Sequence, residues 1–160
     1  MTSSNSHMGD YYYFALKDNN TIEFSIHNTP VNINNESFIK SNKTKEVEIT
    51  SNEVKNLLNK ADELKNTDHE VGFIYQGAWN MILKYENRIF ETSYNIIELI
   101  ESDIKNIKKE AEKGYNEGEE STDVLIKLEN KLVVLKMFQE LIDEFINLIP
   151  MEYYGRHFPF

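Results

Sequence analysis

TDVLIKLENKLVVLKMFQELIDEFINLIP (residues 122–150) places Leu125, Leu128, Leu132, Leu135, Phe138, Ile142, Phe145 and Ile149 in alternating steps of three and four. That spacing follows the helical turn and predicts one long helix with a heptad-like apolar stripe, ended by Pro150. Ser121 or Thr122 suits its N-cap, with Asp123 set against the positive helix end. Upstream, Trp79, Ile82, Leu83, Ile89, Phe90, Ile96, Ile97, Ile100, Ile104, Ile107 and Ala111 form a similar stripe, broken only by Glu86 and Ser93. With no Gly or Pro before Gly114, the pattern predicts a second long helix over residues 79–112, about 50 Å at 1.5 Å per residue. A hairpin of residues 81–85 and 89–92 competes with it, but Glu86-Asn87 is a poor two-residue turn. The short loop at 114–120 then requires the two helices to lie antiparallel. Leu99, Val124, Val133, Val134, Met137, Leu141, Ile146 and Leu148 widen the apolar face beyond what one partner helix covers, so the N-terminal elements or a second copy must pack there.

The N-terminal part has a different period. Tyr11-Tyr12-Tyr13-Phe14-Ala15-Leu16, the turn Lys17-Asp18-Asn19-Asn20, and the alternating Ile22, Phe24 and Ile26 predict a β-hairpin. Val31 and Ile33 follow Pro30, a polar loop spans 34–45, and Val47 and Ile49 suit one more short strand. Thr50 and Glu53 have capping-box spacing, and Val54, Leu57, Leu58, Ala61 and Leu64 predict a short amphipathic helix over 52–65. Residues 71–77 suit a strand or extended connector. Residues 1–9 are polar, carry a His7-Met8 pair typical of a cloning junction, and are expected to be a disordered leader outside the fold. The expected fold class is α+β and helix-dominated, in a single domain over 10–160: a β-rich part (10–50), a helical part (51–149) and an aromatic tail (150–160).

Composition narrows the function classes. Lys plus Arg number 17 against 27 Asp plus Glu, a net charge of −10, which argues against direct nucleic-acid binding. With no Cys there is no disulfide framework or thiolate metal site. The sequence shows neither a membrane span nor a signal peptide, so a cytoplasmic protein is expected. His7, His27, His69 and His157 share no helical face at ligand spacing, and no phosphate loop, nucleophile elbow or dinucleotide fingerprint is present. No metal, cofactor or catalytic residue is therefore expected. Asp68-His69-Glu70 reads as a solvated connection. Glu86 reads as a structural charge near Arg156, and the acidic loop around Glu117 lacks the calcium-loop pattern.

What remains are surfaces. Outward acidic residues on the long helices, with Glu140, Asp143 and Glu144 near the C-terminus, suit a basic protein partner. The tail residues Tyr153, Tyr154, Arg156 and Phe158 are of the types that dominate interfaces. In size, acidity and lack of cysteine the chain is similar to immunity proteins and phage-encoded inhibitors. These features lead to an expected inhibitor or immunity-type protein of bacterial or phage origin, which blocks a basic nuclease toxin or other nucleic-acid enzyme by occlusion. A coiled-coil or helical-bundle scaffold that forms a homodimer is the alternative, and a small enzyme the third reading.

Overall fold

The computed structural model describes residues 2–7, 10–27, 44–67, 80–85, 88–93, 95–113 and 119–154. Its strands are β1 (Thr2–His7), β2 (Asp10–Lys17), β3 (Thr21–His27), β4 (Thr44–Glu48), β5 (Asn80–Tyr85) and β6 (Arg88–Ser93). Its helices are α1 (Ser51–Lys65), α2 (Asn95–Glu112), α3 (Glu119–Leu148) and α4 (Met151–Tyr154). The strands form one sheet in the order β4-β3-β2-β1-β5-β6, with every described pairing antiparallel. The α+β class is as the sequence implies, with helices packed on the sheet.

The β2–β3 hairpin closes where expected. Lys17 pairs with Thr21, and Asn20 takes φ 60°, a left-handed conformation that Asn tolerates better than most residues. The Asn20 carbonyl accepts from the Ile49 amide at 2.9 Å and its side chain donates to Ser51 Oγ, tying the turn to the start of α1. Thr50 caps that helix as predicted: its amide donates to the Glu53 carboxylate, and the Glu53 amide donates to Thr50 Oγ1. The Thr50 amide, foremost, and the Thr50 hydroxyl, which donates to the same carboxylate oxygen at 2.8 Å, hold the Glu53 carboxyl below its ordinary pKa.

The expected helix over 79–112 requires correction. Its first part is the β5–β6 hairpin, and only Asn95–Glu112 is helical. Leu83 pairs with Phe90 and Tyr85 with Arg88, so two residues do connect the strands. The apolar positions here satisfy a period of two as well as three-four spacing, and tertiary pairing decides between them. The neighbour that decides is β1, which pairs Ser4 with Tyr13 on one side and with Ile82 on the other. Residues 2–7, expected outside the fold, thus form an inner strand. Their polar side chains do not announce it, because backbone hydrogen bonds on both edges hold such a strand. The start of α3 also shifts: Ser121 and Thr122 lie inside a helix that begins at Glu119. Residues 71–77 lie outside the described residues.

The core lies between the sheet and the helices. Phe14 packs 5.8 Å from Phe145, and Tyr12 and Phe24 receive Tyr154 edge-on at 5.8 Å and 5.0 Å. Leu57, Ala61 and Leu64 bring α1 into the same core. Lys136–Glu101 and Lys108–Glu129 ion pairs, each 2.7 Å, run between α2 and α3. Seven residues forward on α3 match seven back on α2, so the helices are antiparallel as expected. Val134, Leu141 and Ile146, part of the over-wide apolar face, are buried within this chain. Replacing Phe145 with Ala is expected to cost about 3–5 kcal/mol in urea denaturation, whereas Leu99→Ala, at a position 45% exposed, should stay within about 0.5 kcal/mol.

Candidate functional site

Exposed acidic groups on α2 and α3 include Glu98, Glu101, Asp103 and Glu140, interspersed with exposed lysines. The Lys136–Glu101 pair sets the register, so Glu140, one turn beyond Lys136, lies level with Glu98 on α2. Both carboxylates are exposed. Val133, 59% exposed, shares the Glu140 side of α3, seven residues back. Val133 lies about 10 Å along α3 from Glu140, with the Lys136–Glu101 pair at the level between them. Glu98 was legible only as one acid among many, and Val133 only as surplus apolar surface.

The other expected contact residues separate. Glu144 accepts from Asn56 Nδ2 at 2.6 Å and Lys60 Nζ at 2.7 Å, so it joins α1 to α3. Asp143 is half-buried. Tyr154 is a core residue, 1% exposed, whose hydroxyl donates to the Ile146 carbonyl at 2.9 Å, which corrects its assignment to the interface. Pro150 turns the chain back so that this ring reaches the aromatic cluster. Tyr153 is half-buried under Lys45, whose Nζ lies 4.3 Å from the ring centroid and donates to the Tyr153 carbonyl. Arg156, Phe158, Glu86 and His69 lie outside the described residues.

One pair resembles catalytic machinery. Ser25 Oγ and His27 Nε2 share a hydrogen bond of 2.8 Å on β3. They are 1% and 2% exposed, so the hydroxyl is closed to solvent in this conformation. Among the described residues no cluster of three or more His, Asp or Glu could hold a metal ion. A depression of about 350 Å³ at the α3–α4 break is lined by Ile146, Asn147, Leu148, Ile149, Pro150 and Met151, none of them titratable. No helix among the described residues is long and apolar enough to cross a membrane.

Burial lowers the His27 pKa from its ordinary 6.5, because a charged imidazole loses hydration there. The unfolded chain therefore takes up a proton near 6.5 that the folded chain refuses. Stability from this group is complete above 6.5 and is lost as pH falls toward the lower folded value. Between about pH 7.5 and 5.5 the urea midpoint of the wild type should fall further than that of His27→Gln, which lacks the titrating group. Equal pH slopes would contradict this assignment.

The chain matches no protein-family model, no curated protein and no solved structure.

Proposed function

We propose that this chain is a non-catalytic acidic binding module, of the inhibitor or immunity type, which neutralises a basic protein such as a nuclease toxin by covering its working surface. The observation that carries this reading is the outer face of α2 and α3, where Glu98 and Glu140 are exposed at one level and the apolar Val133 is exposed two turns back along α3. Exposed carboxylates attract a cationic surface over a distance, and an exposed apolar residue two turns away adds contact area after the encounter. The net charge of −10 adds a long-range field of the same sign. Such a module would act in the cytoplasm and needs neither metal nor cofactor.

The test uses basic ribonuclease and deoxyribonuclease domains as partners, with an acidic protein as control. Association should slow by about tenfold or more as salt rises from 0.1 M to 1 M, since the Debye length shrinks from about 10 Å to about 3 Å. The double reversal Glu98→Lys with Glu140→Lys should slow it further still and weaken inhibition, with the circular-dichroism spectrum unchanged. Val133→Asp should mainly speed dissociation. Inhibition that persists in the double reversal and ignores salt would refute the electrostatic docking face.

A further inference from the structure

No further inference is drawn: the strongest candidate, the depression at the α3–α4 break lined by Ile146, Leu148, Ile149 and Met151, is a mostly apolar recess with nothing in the structure to show what covers it.

Discussion

The contact between the aromatic face of the sheet and the C-terminal half of α3 organises the molecule. Phe14 meets Phe145, and Phe24 lies 5.4 Å from Phe14 and 5.0 Å from Tyr154. Burying side chains of this size contributes about 1.5–3 kcal/mol each before conformational entropy is subtracted. Helix α3 has the sheet on one side, α2 on a second and α1 on a third. This explains why its sequence is apolar around so much of its circumference: Val134, Leu135, Phe138, Leu141, Ile142 and Ile146 serve different neighbours. Ion pairs such as Lys60–Glu144 lie at the margins of these contacts and set register more than stability.

That arrangement decides which helical side chains stay exposed. The middle and end of α3 are committed to the core, against which Tyr154 is buried, and Glu144 is engaged between helices. Glu98, Glu140 and Val133 remain exposed on α2 and α3. The Ser25–His27 pair, hydrogen-bonded at 2.8 Å, is buried on β3.

The two largest departures from the sequence-based expectation have one cause. Setting residues 2–7 aside as a leader removes the strand that β5 pairs with, and without that neighbour the 80–93 stretch has no reason to be extended. Its apolar residues then extend the helical spacing of Ile96, Ile100 and Ile104. A strand is specified by what lies beside it, and β1, made of Ser, Asn, Thr and His, contributes backbone rather than side-chain signals to that choice. Glu98 and Val133 were hidden for a related reason. Glu98 comes level with Glu140, and Val133 stays outside the core, only through the register of two helices, which no local pattern encodes.

The elements whose signals are local were determined by the sequence alone: the β2–β3 hairpin with its Asn-rich turn, the Thr50–Glu53 capping box, the stripe of α3 and the stop at Pro150. Each depends on residues within a few positions of one another, where backbone sterics, cap hydrogen bonds and helical periodicity act directly. Tertiary structure decided the six-strand order, the extended form of residues 80–93, the burial of Tyr154 and which acids stay exposed. Those outcomes depend on contacts between distant segments, and a polar strand or a helix-compatible run acquires its conformation only when the partner it pairs with is in place.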